Sequence, residues 1–239
     1  MAGARGAEEQ AAPLQGIKVV EFTHMVMGPT AGVILGDLGA DVIKVEPLKG
    51  DNTRRLKGSG AGYFPMYNRN KRSIALDLKH PKGRDVARQL IQSADIMLEN
   101  FRTGTMAKLG LDYESLKADH PGLIYCSLKG FLSGPYENRV ALDEVTQMMG
   151  GLAYMTGLPD RPLRAGSSVI DITGGMFGVI AILSALHRRR ETGEGSHVTS
   201  ALFETTAFLV GQHMAQQAVS GDAPPPMSVT VWVRIRVFR

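Results

Sequence analysis

The stretch GIKVVEFTHMVMGPTAGVILGDLGADVIKVE, residues 16–46, decides the fold class. Residues 17–22 and 41–46 are short and rich in β-branched side chains, and they flank a segment of helical character. Pro29 suits the first turn of that helix. The pattern predicts a βαβ unit with parallel strands, so that residues 23–28 lie at the carboxyl edge of a sheet, where α/β folds bind ligands.

The alternation of strands and helices continues along the rest of the chain. Strands are predicted at residues 73–77, 96–98 and 123–127, and helices at 81–93, 112–120, 142–149, 173–190 and 201–219. We therefore predict an α/β domain over residues 14–222, after a disordered leader at 1–13. Residues 223–239 are expected to form a divergent tail, and the last eleven, VTVWVRIRVFR, alternate like an isolated strand.

Composition excludes several classes of protein. The net charge of +4 comes from scattered basic residues, and only 6% of residues are aromatic, which disfavours nucleic-acid binding. The single cysteine, Cys126, allows no internal disulfide and no Cys-x-x-Cys metal site, and it fits a cytoplasmic compartment. The apolar run 172–186 is shorter than a membrane span of about 18 to 20 residues, so we expect a buried helix and no membrane partner.

Common catalytic motifs are absent, and one carboxylate remains as the leading candidate. Asp171 lies in GSSVIDITGGMF, residues 166–177, where an extended segment runs into a helix. The unpaired N–H groups and the helix dipole are expected to favour its ionised form. One interpretation is a simple helix N-cap; the other is a nucleophile for an acyl carbonyl, with Gly174 and Gly175 letting substrate approach the backbone.

Four segments together resemble the class III CoA-transferases of the CaiB/BaiF type. They are residues 16–46, NRNKRSIALDLK at 68–79, DIMLENFRTGTMAKLG at 95–110 and LIYCSLKGFLSGP at 123–135. Their order and spacing also match the family. The resemblance implies a Rossmann-like large domain, with the small C-terminal domain missing or truncated, and an interlocked homodimer whose active site lies between the two domains.

The resemblance also implies a reaction. Asp171 would attack an acyl-CoA thioester to give a mixed anhydride, CoA thiolate would convert it to an aspartyl-CoA thioester, and a carboxylic acid would complete the exchange. Coenzyme A is then a substrate, and no permanently bound cofactor or metal is expected. The positions that match CoA-contacting residues of the family are His24, Met25, Leu76, Lys79, Asn100, Phe101, Lys108 and Lys129.

Asp143 matches an acidic position near the family's active site that positions substrate or stabilises an intermediate. Its alternative is a second helix cap, and the alternative for each lysine is a solvated surface charge. The arginines at 188–190 are expected to form a solvated helix end favoured by the dipole.

Two other functions stay open. The same family includes α-methylacyl-CoA racemases, which use a histidine and an aspartate as paired bases. That histidine would directly precede Asp143, where this chain has Leu142, and residues 121–186 contain no histidine. The other alternative is a non-catalytic CoA-binding remnant, because the chain stops where family members continue into the small domain. That remnant would bind CoA weakly and expose apolar surface.

Overall fold

The computed structural model describes residues 11–229, and within them the chain folds around a six-stranded parallel sheet. The strands are β1 (Lys18–Phe22), β2 (Asp41–Glu46), β3 (Lys71–Ala75), β4 (Ile96–Glu99), β5 (Ile124–Lys129) and β6 (Ser196–Ala201). Their order across the sheet is β3-β2-β1-β4-β5-β6, so the chain starts in the middle and winds outward in both directions. This is the strand order of a doubly wound α/β sheet of Rossmann type, and it confirms the predicted βαβ start.

Helices cover both faces of this sheet. They are α1 (Met27–Asp37), α2 (Tyr63–Tyr67), α3 (Pro81–Gln92), α4 (Thr105–Leu109), α5 (Tyr113–Leu116), α6 (Asp143–Met149), α7 (Leu152–Thr156), α8 (Val169–Thr192) and α9 (Leu202–Ser220). Two 3-10 turns, Asn52–Arg55 and Gly58–Gly62, lie in the connection after β2. One hydrophobic core lies between the sheet and helices α1 and α8, and a second lies under α3, α4 and α5.

Two strands depart from the prediction. The strand expected at 73–77 runs from Lys71 to Ala75, and no strand was predicted at the position of β6. Both are the edge strands of the sheet, with alternating or continuous exposure of their side chains. Their apolar signal is weak because only one neighbour and at most one face bury them.

Helix α8 is long and apolar enough to cross a membrane by length and composition alone. Here it packs on α1 and on strands β5 and β6, with Ile170, Val179 and Ile182 buried in the core. Met176 and Ile180, on its other side, are about half exposed at 49% and 57%. The predicted buried helix is therefore right for one side of α8.

One expectation about a helix end needs correction. Arg189, expected to be a solvated charge, donates to Asp95 at 2.9 Å and to the carbonyl of Gly122 at 3.0 Å, and so ties the end of α8 to the sheet. The tail begins by returning to α7, because Met227 N donates to the Met155 carbonyl at 3.0 Å. Most of the predicted leader and of the strand-like tail lies outside the described residues.

Candidate active site

A cavity of about 400 Å³ opens at the carboxyl edge of the sheet, beside the first turns of α6 and α8. Loops that follow β1, β4 and β5 complete its walls. Its polar and charged lining includes His24, Asn100, Lys129, Asp143, Glu144, Arg164, Ser168 and Asp171, and Met25 also lines it. The structure thus brings together six of the predicted site residues, which come from segments far apart in the sequence.

Asp171 is the third residue of α8, and Ser168 occupies the N-cap position without a side-chain hydrogen bond. The simple N-cap interpretation of Asp171 is therefore wrong. The carboxylate of Asp143 takes that part instead, because its Oδ2 accepts from the backbone N–H groups of Ile170 at 2.8 Å and Asp171 at 3.0 Å. Asp143 is thus a helix cap, but for α8 and not for its own helix.

The environment of Asp171 raises its pKa from 3.8 to about 7. Burial is the main cause, and the like charges of Asp143 and Glu144 add to it. The sequence-based expectation that the helix start would favour the ionised form is wrong, because these effects outweigh the dipole. Within the described part of the chain no group donates a hydrogen bond to the Asp171 carboxylate, which lines the cavity.

Close packing against Met27 and Thr30 of α1 explains why α8 has glycines at positions 174 and 175. A Cβ on Gly174 would lie 2.7 Å from the terminal carbon of Met27, and one on Gly175 would lie 2.7 Å from the Met27 carbonyl oxygen and 2.9 Å from Thr30 Cβ. Both glycines are buried where α8 crosses α1. Their role is close helix packing and not, as expected, the approach of substrate.

The loop after β1 is fastened to the end of β4. The backbone N–H of His24 donates to Asn100 Oδ1 at 2.9 Å, and Asn100 Nδ2 donates back to the His24 carbonyl at 2.8 Å. The His24 ring stacks on Phe101 with 5.6 Å between centroids, and Met25 has a left-handed backbone with φ of 61°. Burial lowers the pKa of His24 below its usual value.

A buried charge cluster supports the same loop from below. Lys44, only 1% exposed, donates to the Thr23 carbonyl at 2.7 Å and lies 3.1 Å from Asp51 Oδ2. Lys71 donates to Glu21 at 2.9 Å and also to the carbonyl of Pro29 in α1. Sequence reasoning missed this cluster, although charged residues inside strands that are otherwise apolar were a signal for it.

Lys129, one of the positions matched to CoA contacts, is held in an ion pair at the end of β5. Its Nζ lies 2.6 Å from Glu99 Oε1 and donates to the carbonyl of Phe101 at 2.8 Å. Glu99 neutralises this charge at the shared ends of β4 and β5. The lysine therefore shapes the cavity wall and holds Phe101 in place.

The other predicted CoA-contacting residues lie along the same edge of the sheet. Leu76, Lys79 and Phe101 line a second cavity of about 510 Å³. A third, of about 440 Å³, is lined by His24 and again by Phe101, so the three cavities adjoin. Lys108 lies outside them, exposed on α4.

Several cavity residues were not predicted. Tyr63 lines the wall, and Arg164 lies 3.6 Å from Glu144 in an ion pair that is about half exposed. Arg164 sits in an irregular segment between α7 and α8, where the sequence carries no periodic signal. No group of three or more His, Cys, Asp or Glu residues in the described part of the chain could hold a metal ion.

Comparisons with known proteins show which sequences this chain resembles. The sequence profile described as CoA-transferase family III matches residues 14–239. Succinate–glutarate CoA-transferase of Agrobacterium fabrum is 42% identical over 225 residues, which are 89% of this chain and 56% of that protein. Acetyl-CoA:oxalate CoA-transferase of Acetobacter aceti is 39% identical over 219 residues, again 89% of this chain and 56% of that one.

A solved structure is also similar. The crystal structure of a CAIB/BAIF family protein from Brucella suis superposes with a TM-score of 0.86 and 45% identity, covering 91% of this chain and 60% of that one. The chain spans about half the length of the curated relatives that it matches.

Proposed function

Since the chain belongs to CoA-transferase family III, we propose that it moves CoA from an acyl-CoA donor to a carboxylic acid acceptor, with Asp171 as the nucleophile. The observation that carries this proposal is the Asp171 carboxylate itself, which lines a cavity of about 400 Å³ with no hydrogen bond from residues 11–229 to its oxygens. A carboxylate that gives up solvation is a stronger nucleophile toward a thioester than one in water.

The proposed steps balance without a proton or a cofactor. An oxygen of Asp171 attacks the thioester carbonyl carbon and the C–S bond breaks. CoA leaves as a thiolate, and the acyl group stays on Asp171 as a mixed anhydride. The thiolate attacks the Asp171 carboxyl carbon and releases the donor acid, which leaves an aspartyl-CoA thioester. The acceptor carboxylate then attacks that thioester to form a second anhydride, and CoA thiolate takes the acceptor acyl group and frees Asp171.

Only the side of the cavity that carries Arg164 has a charge that attracts an anionic acceptor. Asp143 and Glu144 repel a second carboxylate, whereas the guanidinium of Arg164 can receive it in place of Glu144. The adjoining cavities that contain Phe101, Leu76 and Lys79 offer an aromatic face, apolar surface and a cation for the nucleotide end of CoA. We therefore propose acyl-CoA and a carboxylic acid as the substrates.

Label transfer tests the proposal. The protein is incubated with succinyl-CoA and labelled glutarate, or with acetyl-CoA and labelled oxalate, and label is expected in the thioester fraction. Mass spectrometry of the peptide that contains Asp171 is expected to show an acyl or CoA adduct. Label that stays entirely in the free acid, with no adduct from either donor, would contradict the transfer mechanism.

The same preparations separate the alternatives. A racemase would exchange the α-proton of a 2-methylacyl-CoA in deuterated water without an acceptor acid. Among the described residues, His24 is the histidine that lines the cavity. The position where a racemase would have its histidine is Leu142, at the N-cap of α6. A binding remnant would retain CoA on a filter but catalyse neither exchange. We expect transfer and no α-proton exchange.

The pH dependence of adduct formation follows from the raised pKa of Asp171. A carboxyl is neutral below its pKa and ionised above it, and only the ionised form is a nucleophile. The rate of adduct formation is therefore expected to rise with pH and to reach half its maximum near the pKa of about 7. Single-turnover rates at pH 5 to 9, corrected for thioester hydrolysis in protein-free samples, check this; a rate that is constant across this range would contradict it.

A further inference from the structure

Gln147 is a polar side chain with no exposed surface, one turn after Asp143 on α6. Its Nε2 donates to Asp143 Oδ1 at 2.5 Å, and its Oε1 accepts from the backbone N–H of Ala165 at 2.7 Å. Both ends of the amide are therefore used, one toward the acid that caps α8 and the other toward the segment that leads into α8.

These bonds form one continuous chain that ends at Asp171. Ala165 is bonded to Gln147, Gln147 to Asp143, and Asp143 to the N–H groups of Ile170 and Asp171. Every partner of the Asp143 carboxylate is a donor, and the chain links α6 to both sides of the turn that starts α8. A shift of Gln147 would therefore release Asp143 and let the first turn of α8 move.

Packing alone does not account for this arrangement. An apolar side chain of the same size at position 147 would leave the Ala165 N–H and one oxygen of the Asp143 carboxylate without these partners. Asp143 is only 4% exposed, so water does not readily replace the lost bond. Position 147 requires an amide because the side chain must donate a hydrogen bond to Asp143 and accept one from Ala165.

We propose that Gln147 is a positioning residue for the Asp171 nucleophile: it fixes Asp143 and the turn before α8, and so sets where the Asp171 carboxylate projects into the cavity. This inference rests on the proposed function. It does not make Gln147 a catalytic residue, because its side chain is buried away from the cavity and acts through Asp143.

Exchanging the two side chains gives the sharpest test. Gln147→Glu keeps an acceptor for Ala165 but sets a carboxylate against Asp143, and Asp143→Asn loses the charge that caps α8. In the double variant Asp143→Asn, Gln147→Glu, the amide of residue 143 can donate to Glu at 147 while its oxygen still accepts from Ile170 and Asp171. The chain of bonds is then restored with the charge and the amide exchanged.

Each single variant is expected to slow adduct formation at saturating acyl-CoA by roughly 10- to 100-fold, since small misplacements of reacting groups cost about that much. The double variant is expected to recover to within about tenfold of the parent protein. The dissociation constant for CoA should change by less than about threefold in all of them, because none of these side chains contacts the adjoining cavities. Gln89→Leu, an exposed glutamine on α3, is the matched control for a Gln147→Leu variant.

Two results would overturn the role of Gln147. One is a folded Gln147→Leu variant that forms adduct as fast as Gln89→Leu; the other is a double variant that is no faster than the slower single variant. Circular dichroism shows whether each variant folds, and the comparison between the single and double variants decides the case if Gln147→Leu does not. A parent protein that forms no adduct would overturn the proposed function itself, a result that is visible before any variant is made.

Discussion

Asp171→Ala is expected to form no acyl or CoA adduct and to transfer CoA slower than the parent protein by at least about a thousandfold, because the variant has lost the group that attacks the thioester. No other carboxylate of the cavity is placed to replace it. Asp143 already accepts hydrogen bonds at both oxygens, and Glu144 is paired with Arg164. Initial rates of label transfer and mass spectrometry of the intact protein measure the effect.

The variant should keep its fold and its affinity for CoA, because the Asp171 carboxylate has no hydrogen-bond donor among residues 11–229. Asp160→Ala, which removes an exposed acid from the turn between Leu158 and Arg161, serves as the charge-matched control and should transfer CoA at the parent rate. Transfer by Asp171→Ala within about tenfold of that control would exclude Asp171 as the nucleophile.

The sequence predicted the centre of the fold better than its edges. Strands β1, β2 and β4 are central and apolar, and their predicted bounds agree with the structure to within a residue or two. At the two edges, β3 was shifted and β6 was missed, because Lys71, Arg72 and the Ser–Thr content of β6 weaken the apolar pattern. Edge strands that are buried on one side only cannot be predicted from their own sequence, because their neighbours in the sheet determine them.

The candidate site shows the same limit. Asp171 could be identified as a candidate from its sequence context, but its backbone N–H donates to Asp143, which is 28 residues away. Its raised pKa has the same origin, since burial and charges on α6 produce it. The ion pair of Lys129 could not be predicted from the sequence, because its partner, Glu99, lies on the neighbouring strand 30 residues away. Periodicity reports which face of an element is buried, but not which side chain from another element meets it.

The environment that is expected to activate Asp171 should also cost stability, and Asp171→Asn measures that cost. An acid whose folded pKa lies above its unfolded pKa holds its proton more tightly in the folded state. Stability is therefore lost as pH rises from about 3.8, where the unfolded carboxyl ionises, to about 7, where the folded carboxyl ionises, and no more is lost above that. The asparagine variant lacks this titration and should escape the loss.

Asp171→Asn is expected to unfold with a free energy about 2 to 3 kcal/mol higher than the parent protein at pH 8, and to show no gain near pH 4. The raised pKa alone would give a larger gain, but the buried amide has no partner and offsets part of it. Urea denaturation of both proteins at pH 4.5 to 8.5 measures the difference, with Asp160→Asn as the control for the loss of one negative charge. The gain in unfolding free energy should grow up to about pH 7 and then level off. A gain that does not depend on pH, or a variant that is less stable than the parent at pH 8, would show that the cavity does not destabilise the ionised Asp171 carboxylate. If the variant is both inactive and more stable, the same carboxylate acts as the nucleophile and lowers the stability of the fold. That is the expected consequence of removing water from a reactive carboxylate.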